Sequence, residues 1–170
     1  MTNPLSLIRL KNPWHLLATG FGSGLSPIVP GTMGTLASVP FFLLLAQLPL
    51  SAYLIVVVIS CIVGIKICQV TSDDMGVHDH GSIVWDEFAG FWLTMTVMPA
   101  LNIPITEWQW IVAGFVWFRF FDMVKPWPIS WLDKRVDGGL GIMIDDIVAG
   151  IMAAIALLLT ANYAGWIVLG

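Results

Sequence analysis

The chain has 170 residues, of which 58% are hydrophobic and 11% charged, and its mean hydropathy is +0.87. A soluble domain carries about 25% charged residues, so this composition excludes an ordinary soluble globule and predicts a single integral membrane domain over residues 1–170. The net charge of −4 is not gathered into a basic patch, which excludes a nucleic-acid partner, and two cysteines in an apolar run make neither a zinc motif nor a disulfide framework.

Residues 1–19 mix Arg9, Lys11 and Trp14 with Leu and Ile, which predicts a short amphipathic helix lying among lipid headgroups. No cleavable signal peptide is expected, because the first long apolar run begins only near Leu36. Residues 20–35, GFGSGLSPIVPGTMGT, read as a loop. Residues 36–48 are apolar but short for a span and contain Pro40; this segment starts as early as Thr32, or is tilted or re-entrant. Residues 52–70 have about the length a bilayer requires. Cys61 and Cys68 share one face of that helix and read as small buried apolar residues. Residues 71–82 form a polar loop in which His78 and His80 read as solvated; His15 reads as interfacial.

Residues 83–101 are apolar but carry Asp86 and Glu87 near their start. A short turn with Pro104 leads into a span over 108–124, with Arg119 and Asp122 near its end. Residues 125–141 read as a loop with Pro126, Pro128 and two adjacent glycines, and 142–163 as the last span, with Asp145 and Asp146 in its first turn. The predicted fold class is all-α: a polytopic membrane helical bundle of four to five membrane helices plus an N-terminal interfacial helix. With the N-terminus in the cytoplasm, Arg9, Lys11, Lys134 and Arg135 lie on the inner side, and Lys66, Arg119 and Lys125 lie near inner helix ends. The polar segments then share the cytoplasmic face.

Residues 119–146 alone hold four of the seven Lys/Arg and five of the eleven acids. Charge in or beside lipid marks a functional site by default. Acids early in a helix also serve as caps that favour the macrodipole, but two in each of two helices exceed what capping needs. Asp122 has no such explanation, because it lies near a helix C-terminus. Arg119, Asp122 and Lys125 run along one helix face, either as an ion-pair ladder or as a carboxylate on a metal or phosphate with two cations steering an anionic substrate. Clustered carboxylates suit a hard cation, with Mg²⁺ beside phosphate the common case. The Gly-rich loop brings Ser26, Gly31, Thr32, Gly34 and Thr35 to a helix N-terminus, where backbone N–H groups suit anions; it matches neither a Walker A nor a Rossmann fingerprint.

Three blocks, GFGSGLSPIVPGTMGT (20–35), IVWDEFAG (83–90) and FRFFDMVKPWPISWLDKRVDGGLGIMIDDIVAG (118–150), resemble the phosphatidylglycerophosphatase A family, in the family's order and over about a third of the chain. The resemblance implies a Mg²⁺-dependent enzyme that converts phosphatidylglycerol phosphate to phosphatidylglycerol in the bacterial inner membrane, with membrane lipids around it and its site on the cytoplasmic side. On those motif positions the physical reading assigns metal binding to Asp86, Glu87, Asp122, Asp145 and Asp146, and catalysis to Glu87, Asp122 and Asp146. Phosphate holding falls to Arg119, Lys125 and Arg135 with the 20–35 loop closing over it. The nucleophile is a metal-activated water or an aspartate. A small transporter using the intramembrane acids is the alternative; it is disfavoured because the acids sit near one face and no inverted repeat appears.

Overall fold

The computed structural model describes residues 4–167, and the described residues are helical with connecting turns. A 3-10 turn at Pro4–Leu7 precedes α1 (Pro13–Ala18), and a second at Ser23–Leu25 precedes α2 (Pro30–Leu45). Then come α3 (Leu50–Met75), α4 (Trp85–Thr94), α5 (Val97–Ala100), α6 (Trp108–Val124), α7 (Ile129–Asp133) and α8 (Gly138–Tyr163). Helix α8 is the axis: it packs against α3, α4, α6 and α7.

Cross-helix contacts give each helix its direction. The Thr94 hydroxyl donates to the carbonyls of Gly90, at 3.0 Å, and Gly150, at 3.2 Å, so α4 runs parallel to α8. Trp117 Nε1 donates to the Thr160 hydroxyl at 2.9 Å, and Phe118 sits over Gly90, so α6 runs against α8. Gln69 accepts the Gly139 N–H at 2.7 Å, while Trp85 and Tyr53 donate to the carbonyls of Ser60 and Trp92. Helix α3 is therefore antiparallel to both α4 and α8. Trp92 Nε1 donates to the Ser38 carbonyl at 3.1 Å, which aligns α2 with α4. The starts of α2, α4 and α8 and the ends of α3 and α6 thus gather at one end of the bundle.

Helices α3 and α8 have 26 residues each and are long and apolar enough to cross a membrane. At 1.5 Å per residue each is ~39 Å long, against a hydrocarbon thickness of ~30 Å. Ile55, Val58, Ile59 and Ile62 on α3 are all more than half exposed, an apolar face that water does not favour. The other predicted spans are shorter: α2 has 16 residues and α6 has 17. The expected 83–101 segment divides into α4 and α5.

Other boundaries also differ from expectation. The 20–35 segment is loop only to Val29, because Pro30 starts α2 at a position where its missing N–H costs nothing. Pro40 lies inside α2. Residues 138–141 belong to α8, and α7 interrupts the expected 125–141 loop. In the N-terminal segment, of which residues 1–3 lie outside the described residues, the helix is only six residues long and is capped by the Asn12 side chain. His15 is not interfacial. It is buried, accepts the Arg9 N–H at Nδ1 (3.0 Å) and, since that nitrogen accepts, donates from Nε2 to Asp74 (2.9 Å). Cys68 is buried and Cys61 packs against the core, both as free thiols.

The α4–α8 crossing depends on two glycines. A Cβ added to Gly150 would lie 2.6 Å from the Gly90 carbonyl oxygen. Gly150→Val therefore lowers stability by about 1–3 kcal/mol, read as a fall in Tm in detergent. Gly81→Ala, where the nearest atom would be Pro30 at 3.6 Å, stays within about 0.5 kcal/mol of wild type.

Candidate active site

The charged residues collect where the helix ends converge. Asp86 and Glu87 lie in the first turn of α4, where the helix dipole favours anions. Asp145 and Asp146 do not lie in a first turn, because α8 begins at Gly138 with Asp137 as its N-cap residue. They sit about two turns inside the helix, so capping does not explain them. Glu87, Asp145 and Asp146 are all buried.

Arg119 of α6 reaches between helices. Its Nη1 lies 2.5 Å from Asp122 and 3.4 Å from Glu87, with the side chains 13%, 15% and 10% exposed. The same nitrogen donates to the Thr35 hydroxyl at 3.4 Å, and Thr35 donates to the Gly31 carbonyl. Gly31 and Gly34 explain how α2 comes so close: a Cβ on Gly31 would collide with Glu87 Oε1, and one on Gly34 would lie 3.0 Å from Glu87 Oε2. The glycines and threonine of the Gly-rich block therefore act from the first turns of α2, against Glu87 and Arg119.

Lys125 takes different partners from those of an Arg119–Asp122–Lys125 ladder. Its Nζ bonds Asp145 at 2.5 Å and Asp133 at 2.6 Å. Burial works against its charge, but these two carboxylates hold the ammonium protonated above the ordinary lysine range. Lys125 ends α6 in a left-handed conformation (φ 43°), and Val29, just before α2, does the same (φ 42°). Non-glycine residues pay of order 1 kcal/mol or more for such a conformation, and such outliers cluster at functional sites.

Asp86 Oδ1, Glu87 Oε2, Asp146 Oδ2 and Arg119 Nε are buried without a hydrogen-bond partner among the described residues. The charges of Asp86, Glu87, Asp122, Asp145 and Asp146 act on one another. Unpaired buried polar atoms are costly, and here the orphans are three carboxyl oxygens and one guanidinium nitrogen in one region. The acceptors are all carboxylate oxygens, which suit Mg²⁺. As they stand, no three His, Cys, Asp or Glu side chains among the described residues already ring an ion; Arg119 and Lys125 stand among the carboxylates instead.

The remaining candidates lie elsewhere or act locally. The Ser26 hydroxyl donates to the Ile28 carbonyl. Thr32 lies half-buried in the first turn of α2. Arg135 is exposed and stacks over Trp131 at 4.8 Å. His80 bonds Ser82, and His78 accepts the Gly138 N–H at 2.6 Å, so both shape the loop. Asp133 was not singled out by spacing, since only the turn after Pro126 brings it back to Lys125.

Removing Arg119 leaves Glu87 and Asp122 without their cation. Arg119→Met therefore destabilises the protein by about 3 kcal/mol, and adding Asp122→Asn to it recovers part of the loss. Thermal unfolding of the two variants in detergent measures both effects.

The chain matches the family model described as phosphatidylglycerophosphatase A over residues 16–161. It is 58% identical over 149 residues to the phosphatidylglycerophosphatase A of Escherichia coli, covering 88% of this chain and 84% of that protein. It is 50% identical over 154 residues to that of Haemophilus influenzae, covering 90% and 91%. No solved structure matches it. Matched over most of its length by the family model and by both relatives, the chain belongs to the phosphatidylglycerophosphatase A family.

Proposed function

We propose that this protein hydrolyses the terminal phosphate monoester of phosphatidylglycerol phosphate, with Mg²⁺, at the cytoplasmic face of the bacterial inner membrane. In this reading α2, α4–α5 and α6 cross beside α3 and α8. The observation that carries it is the placement of Arg119, with its unpartnered Nε, among buried carboxylates at one end of membrane-length helices. An anionic lipid presents its phosphate at that depth while its acyl chains stay in the bilayer.

Glu87, Asp122 and Asp146, with Asp86 and Asp145 beside them, would hold the Mg²⁺, which when bound polarises phosphoryl oxygens and acidifies water. Arg119 binds the substrate phosphate through its free Nε and stabilises charge that develops in the transition state. Lys125 adds a second positive charge on the α8 side. Gly31, Gly34 and Thr35 hold the start of α2 against Glu87, and so fix the orientation of both Glu87 and Arg119. Asp146, with one free oxygen, accepts a proton from the attacking water. Attack in line forms the P–O bond to the water oxygen as the P–O bond to the lipid breaks, and the proton taken by Asp146 passes to the leaving oxygen, releasing phosphate and the lipid alcohol.

Purified protein in detergent should release phosphate from phosphatidylglycerol phosphate with Mg²⁺ and stop when a chelator is added; no release in either condition overturns the reading. Asp122→Asn should lower kcat by about 100-fold or more in a protein that still inserts and folds. Near-normal turnover would reduce Asp122 to an ion-pair partner of Arg119.

A further inference from the structure

Away from the charged end, a cavity of about 330 Å³ opens between α5 with the end of α4 on one side and α8 on the other. Leu93, Val97 and Leu101 face Ile151, Ala154 and Leu158 across it. Its size falls in the range of small-molecule sites, but its lining is hydrocarbon, which selects an apolar occupant.

Its position narrows the occupant further. Helices α4 and α8 run in parallel, held together where Thr94 bonds the Gly90 and Gly150 carbonyls, so both lead from the carboxylates to the groove. The groove residues of α8 follow Asp146 by five to twelve positions, which is ~8–18 Å along the axis. The polar interfacial zone of a bilayer is only ~5–8 Å deep on each side of its ~30 Å core. With the carboxylates at headgroup depth, the groove therefore lies in the hydrocarbon layer directly beneath them. Its lips continue into the outward apolar surface: Leu101, Ile151 and Ile155 are 43%, 48% and 54% exposed. A chain can thus enter sideways from the bilayer.

We propose that this groove seats one acyl chain of the anionic lipid whose phosphate is held at Arg119, which makes it the lipid-selecting half of the site. This rests on the phosphatase reading above for the headgroup, and on the cavity itself for the chain. Seating the chain orients the phosphate, so binding energy from a non-reacting part of the substrate is used at the reacting centre.

Two measurements test it. In the first, wild-type protein is irradiated with phosphatidylglycerol phosphate carrying a diazirine in mid-chain, and with a phosphatidylcholine carrying the same group. Mass spectrometry should place adducts from the anionic lipid on residues 93–101 and 151–158, about tenfold above those from phosphatidylcholine. Adducts spread equally along the outward face of α3, or equal labelling by both lipids, overturn the proposal whether or not the protein is a phosphatase. In the second, Ala154→Phe and Ala100→Phe, which fill the groove, should lower kcat/KM for a long-chain substrate about tenfold, and leave that for a dihexanoyl substrate within about twofold. Equal effects on both substrates, or none on either, overturn it. Failure of wild type to hydrolyse either substrate counts against the phosphatase reading, and the labelling then decides the groove alone.

Discussion

Taking charge out of water is the constraint on which the rest of this structure depends. Each buried ion costs several kcal/mol unless it is paired and hydrogen-bonded, and this chain places Glu87, Asp145 and Asp146 inside an apolar bundle. Two cations answer that cost, each shared between carboxylates on different elements. Arg119 joins α4 to α6 through Glu87 and Asp122, and Lys125 joins α7 to α8 through Asp133 and Asp145. The cations are outnumbered, and the carboxylate oxygens left unpartnered are the physical motive for the divalent cation proposed above. The same pairs that make burial tolerable also hold the helix ends in one place.

Close helix packing is the second requirement, because charges this short-armed meet only if backbones approach. Glycine provides that approach at each wall of the site. Gly31 and Gly34 let α2 lie on Glu87, and Gly90 and Gly150 let α4 lie on α8. The left-handed residues Val29 and Lys125 mark where the chain turns sharply at the site's edge. Small residues at the crossing and the interhelical hydrogen bond from Thr94 to the Gly150 carbonyl hold α4 against α8.

The outer surface follows the opposite rule. Large apolar side chains face outward along α3 and α8, where a soluble protein would place polar ones. This leaves Arg119, Lys125 and the buried carboxylates at one end with the apolar groove beyond them, the layout on which the proposed lipid occupant rests.

The sequence by itself determined a good deal. Composition established the apolar, helical class, since a chain this poor in charge cannot cover itself with polar surface. The segment 108–124 is legible to the residue, because its apolar run is bounded by Glu107 and Lys125. The concentration of acids and bases in residues 119–146 pointed to the end of the bundle where charged side chains gather, because charge is expensive in apolar surroundings wherever the fold puts it. Tertiary structure alone decided who pairs with whom. Local spacing offered Lys125 to Asp122, but the turn through α7 delivers it to Asp133 and Asp145. Starting the last span at Ile142, after the paired glycines, placed Asp145 and Asp146 in a first turn, whereas packing of Gly139 on α3 lets α8 begin earlier and carries both acids deeper. His15, polar and near the N-terminus, read as interfacial until Arg9 and Asp74 were found to satisfy both of its ring nitrogens. In each case the deciding partner is distant in sequence or lies beyond a turn, where local pattern carries no information and burial and hydrogen bonding do.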